Sequence, residues 1–126
     1  MWHMWMLGEV SDVSLRLGLV GNASRAAANA LRLATAMEDR RFTRSSMLSL
    51  ALAAHVEPDL RCGGLLWGWV TDEERVEPLL SGQPWYAEYV SELAEETSPE
   101  FLAAAESGAA LGLEDVLELA LGQTEP

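Results

Sequence analysis

The sequence predicts an all-α fold of stacked antiparallel helical hairpins, and three observations carry that expectation. Ala and Leu dominate the apolar residues, Val is sparse and Ile is absent; helices favour Ala and Leu, whereas strands favour β-branched side chains. Apolar residues recur at helical spacing in one segment after another. The breakers between segments are only two to five residues long, so successive helices must turn back on one another.

The first helix is expected over residues 2–19, where Trp5, Gly8, Asp12, Leu15 and Leu19 step along it. Val20, Gly21 and Asn22 close it, since Gly and Asn tolerate the left-handed conformation of a helix stop. Asn22 or Ser24 caps a second helix, which carries Ala26, Ala27, Ala30, Leu31 and Ala34 as far as Glu38. Asp39-Arg40-Arg41 then connects to a third helix over residues 43–55. Met47, Leu48, Leu50, Ala51, Leu52 and Ala54 make that segment apolar nearly all round, the mark of a buried central helix.

Glu57-Pro58-Asp59 opens a fourth helix that ends near Val70, because Pro fits a first turn and acids suit the positive helix start. Thr71-Asp72-Glu73-Glu74 reads as a capping box, predicting a short helix to Leu80, with Ser81-Gly82-Gln83-Pro84 as its break. Residues 85–96 are amphipathic, with Trp85, Tyr89 and Leu93 on one stripe and Tyr86 and Val90 on the next. Ser98 caps and Pro99 starts the following helix, which Gly108 interrupts. The last helix spans 113–121, with Val116, Leu117, Ala120 and Leu121 facing inward. Seven or eight helices are expected in a single domain over 1–126: two degenerate hairpins in 1–70, divergent helices in 71–121 and a frayed tail at 122–126.

Composition narrows the function classes. The chain has 126 residues and a net charge of −12, with all eight cations supplied by Arg. Arg without Lys, and Ala and Leu without Ile, suit a GC-rich bacterial genome. Residues 1–69 carry seven Arg against six acids, whereas residues 70–126 carry Arg75 against fourteen acids. That second half would repel nucleic acid and anionic membrane, so neither is an expected direct partner; a solvated acidic surface is its commonest use. The single cysteine, Cys62, has no partner for an intramolecular disulfide and suits a reducing cytoplasm. No apolar run approaches a membrane span, and the apolar opening Met1-Trp2-His3-Met4-Trp5-Met6 lacks the basic start and cleavage site of a signal peptide.

A period would decide how the hairpins stack. Arg25-Ala26-Ala27 and Arg61-Cys62-Gly63 are 36 residues apart, each opening the second helix of an expected hairpin where small residues permit close approach. A period of about 34 residues is that of the tetratricopeptide repeat, and a short loop insertion accounts for the excess. Two degenerate repeats and a divergent C-terminal cap are expected.

The chain also resembles a known family over roughly three-quarters of its length. Ala30-Leu31-Arg32-Leu33-Ala34 with Glu38-Asp39-Arg40-Arg41, the helix of Leu48 to Ala54, and Pro58-Asp59-Leu60-Arg61 with Leu65-Leu66 are similar to successive repeat segments in one group of proteins. So is the ending of Phe101, Ala103-Ala104, Glu106, Gly108, Ala110-Leu111 and Leu113-Glu114-Asp115-Val116 to Ala120-Leu121. That group is the C-terminal tetratricopeptide-repeat region of bacterial, actinomycete-type signalling ATPases and LuxR-like transcriptional regulators. The chain departs from the pattern at His55-Val56, Trp67, Trp69 and Gly112. The resemblance implies a non-enzymatic interaction or regulatory sensing module, with any ATPase activity residing in another module.

The residues themselves offer no catalytic set. No phosphate-binding loop is present, and there is no Lys to serve one. His3 and His55 lack a second ligand at metal-binding spacing, and His55 suits a helix end. Cys62 in its small-residue triplet reads as packing, and the acid pairs Glu73/Glu74, Glu95/Glu96 and Glu114/Asp115 read as caps or solvated faces. No catalytic residue, metal or cofactor is therefore expected.

Three groups remain as binding candidates. Arg40, Arg41 and Arg44 could grip a phosphate or an acidic partner, or else pair with Glu38, Asp39 or the acidic half. Trp67, Trp69, Trp85, Tyr86 and Tyr89 could floor a pocket, with Trp67, Trp85 and Tyr89 as its first candidates, or else belong to the core. Trp2, Met4, Trp5 and Leu7 put apolar side chains on more than one face of the first helix, which suggests an interface, either a homodimer or contact with a missing upstream repeat. A protein or peptide partner is the first expectation; a small-molecule-binding protein or enzyme with an aromatic pocket at Trp67 and Trp85 is the alternative.

Overall fold

The computed structural model describes residues 20–57 and 59–122, without the side chains of Val20 and Tyr89. Six helices make up this part: α1 (Val20–Ala36), α2 (Arg40–Val56), α3 (Leu60–Val76), α4 (Tyr86–Glu95), α5 (Pro99–Ala109) and α6 (Leu113–Gly122). No strand occurs among the described residues, and no described helix is long and apolar enough to cross a membrane. The helix expected over residues 2–19, with its interface candidates Trp2, Met4, Trp5 and Leu7, lies outside the described residues, as does the tail at 123–126.

Helix α1 buries Ala23, Ala27, Ala30, Leu31 and Ala34 and exposes Asn22, Arg25, Asn29 and Arg32. Its small face lets α2 pack closely. The expected break at Val20, Gly21 and Asn22 is instead helical. Gly and Asn lower helix propensity by only about 1 kcal/mol or less, which tertiary packing readily overrides. The turn after α1 holds Glu38 at φ 56°, and the Asp39 N–H returns to the Ala34 carbonyl at 2.8 Å. This closes the helix with a left-handed residue that is not Gly.

Asp39 then caps α2, its carboxylate accepting from the Phe42 N–H, and Asp59 caps α3 in the same way from the Cys62 N–H. Each satisfies a first-turn donor that would otherwise be unpaired. The third expected helix is thus α2 and is buried along nearly its whole length, with Met47, Leu48 and Ala51 fully enclosed.

Helix α3 runs straight through the expected capping box to Val76. The Thr71 hydroxyl donates to the Trp67 and Gly68 carbonyls within its own helix rather than capping a new one. The short helix expected to end at Leu80 does not form, and residues 77–85 make a non-helical connection. The seven or eight helices expected for the whole chain compare with six over the described part.

Helix α3 packs against α2 on one side and receives α5 and α6 on others. Its contact with α5 is nearly backbone to backbone. A Cβ on Gly64 would lie 2.6 Å from the Phe101 carbonyl oxygen; one on Gly68 would overlap the Ala105 carbonyl, and one on Gly108 the Leu65 carbonyl. Gly108 therefore does not interrupt its helix; it seats α5 on α3. Phe101, Ala104 and Gly108 form the buried stripe of α5, and Val116 and Ala120 that of α6. Helix α4 reaches the core through fully buried Leu93.

Candidate functional site

Two polar constellations stand at opposite ends of the α2–α3 hairpin. At the end where α2 begins, Arg44 is only 3% exposed. Its Nη1 donates to the Glu74 carboxylate at 2.7 Å and to the Glu77 carbonyl at 2.5 Å, while Nη2 faces Glu77 at 3.5 Å and Glu73 at 3.7 Å. Glu74 is buried too. Its two oxygens also accept the N–H groups of Leu79, Leu80 and Ser81 and the Ser81 hydroxyl, all at 2.9–3.0 Å.

Burial by itself would raise the Glu74 pKa. The hydrogen bonds from Arg44, Leu79, Leu80 and Ser81 outweigh it and hold the pKa down to about 2. Burial, and then the Glu74 charge, push the Tyr86 hydroxyl pKa upward. Glu74 thus clasps the connection after α3 by its backbone, in the absence of any helix there.

The three arginines do not converge. Arg44 points inward and is engaged by carboxylates, Arg40 is 72% exposed and pairs with Glu77 at 2.9 Å, and Arg41 is exposed. The aromatic candidates are half-buried: Trp67 and Trp85 pack on the core, and Trp85 meets Tyr86 edge-on with centroids 6.4 Å apart. The Tyr89 side chain lies outside the described part. Trp69, of the same aromatic group, is more buried than Trp67 or Trp85, and its indole nitrogen is enclosed without a hydrogen-bond partner.

At the other end of the hairpin lies a cleft of about 190 Å³. Leu50, Ala54, Cys62, Leu66 and Ala120 form its apolar floor, and all five are buried. Ser24 and Arg25 of α1 line it together with Glu57 and Asp59 of the α2–α3 turn. Burial, and then the charges of Asp59 and Glu57, raise the Cys62 pKa to about 11, so the thiol stays protonated at neutral pH and forms an inert wall.

Sequence reasoning did not single out Arg25, Glu57 or Asp59 as a group. The signal was present in the alternation of helix direction: antiparallel packing places the start of α1 beside the turn from α2 to α3. Nearby, His55 Nε2 lies 2.7 Å from the Glu96 carboxylate and its ring meets Phe101 edge-on, tying the end of α2 to the α4–α5 connection. The hydrogen bond to His55, followed by those from Ser98, lowers the Glu96 pKa.

No group of three or more His, Cys, Asp or Glu side chains arranged to hold a metal occurs among the described residues. Neither a protein-family model, a curated protein nor a solved structure matches the chain.

Proposed function

We propose that the chain is a non-enzymatic protein-interaction or regulatory sensing module. In this reading it is cytoplasmic, built of tetratricopeptide-like hairpins, and plays the part of the repeat tail of a signal-transducing ATPase or transcriptional regulator. The observation that carries the reading is the set of acidic and leucine side chains exposed on α4, α5 and α6. Glu88, Glu92, Glu95, Glu100, Glu106, Glu114 and Asp115 are all exposed there, and Leu102 and Leu113 are 52% and 48% exposed on the same helices. Exposed carboxylates and leucines on the same helices suit a basic amphipathic segment, whose apolar face covers the leucines while its cations meet the acids.

Fluorescence anisotropy with an Arg- and Leu-rich amphipathic peptide tests this. Binding is expected at low salt, weakening as salt rises, and absent in a Leu102→Glu, Leu113→Glu variant that keeps its helical signal. No binding at low salt, or equal binding by the variant, would overturn the reading. ATP turnover that persisted with the protein through purification would overturn its non-enzymatic part.

A further inference from the structure

The cleft at the α2–α3 turn combines three features. The first is its floor. Leu50, Ala54, Leu66 and Ala120 offer apolar side chains from three different helices, so the cleft is shaped by tertiary packing. The second is its size, about 190 Å³. An apolar cavity of roughly 150 Å³ accommodates benzene, so there is room here for one small molecule with a short hydrocarbon body.

The third feature is the rim. Arg25 and the two carboxylates of Glu57 and Asp59 line the same cleft, one charge from α1 and two from the α2–α3 turn, and no ion pair joins them. Among the described residues Arg25 hydrogen-bonds to Asn22 of its own helix, and its side chain lies near Gly21 at the start of α1. Asp59 spends one oxygen on the Cys62 N–H at 3.1 Å, leaving the other available. Opposite charges unpaired with one another, lining one cleft with an apolar floor, present a template for a molecule that carries both signs close together.

We propose that this cleft binds a small zwitterion of the α-amino acid type bearing an apolar side chain. The side chain lies on Leu50, Ala54, Leu66 and Ala120; the carboxylate faces Arg25, and the ammonium group faces Glu57 and Asp59. Guanidinium is suited to a carboxylate because its planar fork donates two parallel hydrogen bonds. Glu57 and Asp59 put two negative charges on the cleft beside Cys62, which favours the ammonium on their side. Since the thiol stays protonated, the interaction is non-covalent.

Calorimetric titration of the full chain with L-leucine, L-methionine and L-phenylalanine tests the proposal, with isoamylamine and isovalerate as probes carrying one charge each. At least one amino acid is expected to bind saturably at one site per chain, and each single-charge probe at least about tenfold more weakly. Arg25→Gln and Glu57→Gln are expected to weaken the amino acid by about tenfold each, with unchanged thermal stability in the absence of ligand. An Ala54→Leu variant, which fills the floor, is expected to abolish binding. If no amino acid binds, if isoamylamine or isovalerate binds as well as the amino acid, or if both charge variants bind like the parent, the proposal fails. The measurement uses the chain alone, so it stands or falls apart from the basic-peptide reading of α4–α6.

Discussion

Glu74 carries more of the local structure than any other side chain described. It lies near the C-terminal end of α3, accepts a charge-assisted hydrogen bond from Arg44 and satisfies three backbone N–H groups of the following connection. Because its pKa is lowered in the folded state, its contribution is fully present above the unfolded carboxylate pKa of roughly 4.3 and is lost as pH falls from there toward about 2. Glu74→Gln is expected to lower stability at neutral pH by on the order of 3 kcal/mol, since it removes the nearest charged partner of buried Arg44 and leaves only the more distant, more exposed Glu73 and Glu77 carboxylates. Urea unfolding at a series of pH values checks this: parent and variant should converge as pH falls, and a constant difference across the acid range would show that the charge of Glu74 is not the source. An apolar double replacement, Arg44→Met with Glu74→Leu, should remain destabilised. The N–H groups of Leu79, Leu80 and Ser81 would lose their acceptor even though no charge is left unpaired.

Between elements, the decisive contact is that of α3 with α5. Gly64 and Gly68 on one helix, and Ala104 and Gly108 on the other, bring two backbones together where no Cβ can intervene at the glycines. Gly68→Ala raises intrinsic helix propensity by about 1 kcal/mol, yet the added methyl overlaps the Ala105 carbonyl, which belongs to rigid helix backbone. A net loss on the order of 1–3 kcal/mol is expected. Gly112→Ser is the companion: its position is open and begins α6, where the Gly112 carbonyl already accepts from Val116. A hydroxyl there should be neutral or stabilising by a few tenths of a kcal/mol. Thermal or urea unfolding in which Gly68→Ala equalled the parent would mean that α5 is not seated on α3 in this way.

Across the whole molecule, charge and apolar residues are distributed unevenly. The acids crowd into residues 70–126, where α4–α6 display them, while Trp2, Met4, Trp5 and Leu7 concentrate apolar side chains at the start of the chain. Trp and Met are enriched at interfaces. A homodimer through residues 2–15 is therefore the expected state in solution, and light scattering on the parent and on a Trp2→Glu, Trp5→Glu variant checks it. The parent should run as a dimer and the variant as a monomer. A monomer in both, with equal solubility, would exclude this interface.

The sequence by itself determined that the chain is helical, and it placed much of the local grammar. An acid, Asp59, stands at the start of α3, Pro99 opens α5, Leu113 opens α6, and α2 is as buried as its apolar circumference required. These features are legible because capping and amphipathicity depend on residues within one or two turns of each other. What failed was also local reading. Gly21 and Asn22 looked like a stop, and Thr71 with Glu74 looked like a start, yet both lie inside helices. Their local preferences are worth about a kcal/mol, less than the packing that overrides them. Only the tertiary structure decided that Arg44 turns inward to Glu74, thirty residues along the chain, rather than joining Arg40 and Arg41 at the surface. It alone decided that Gly64, Gly68 and Gly108 form a contact and that Arg25, Glu57 and Asp59 share a cleft. Such groupings depend on which helices meet and at what rotation about their axes, and no short-range pattern of residues encodes that.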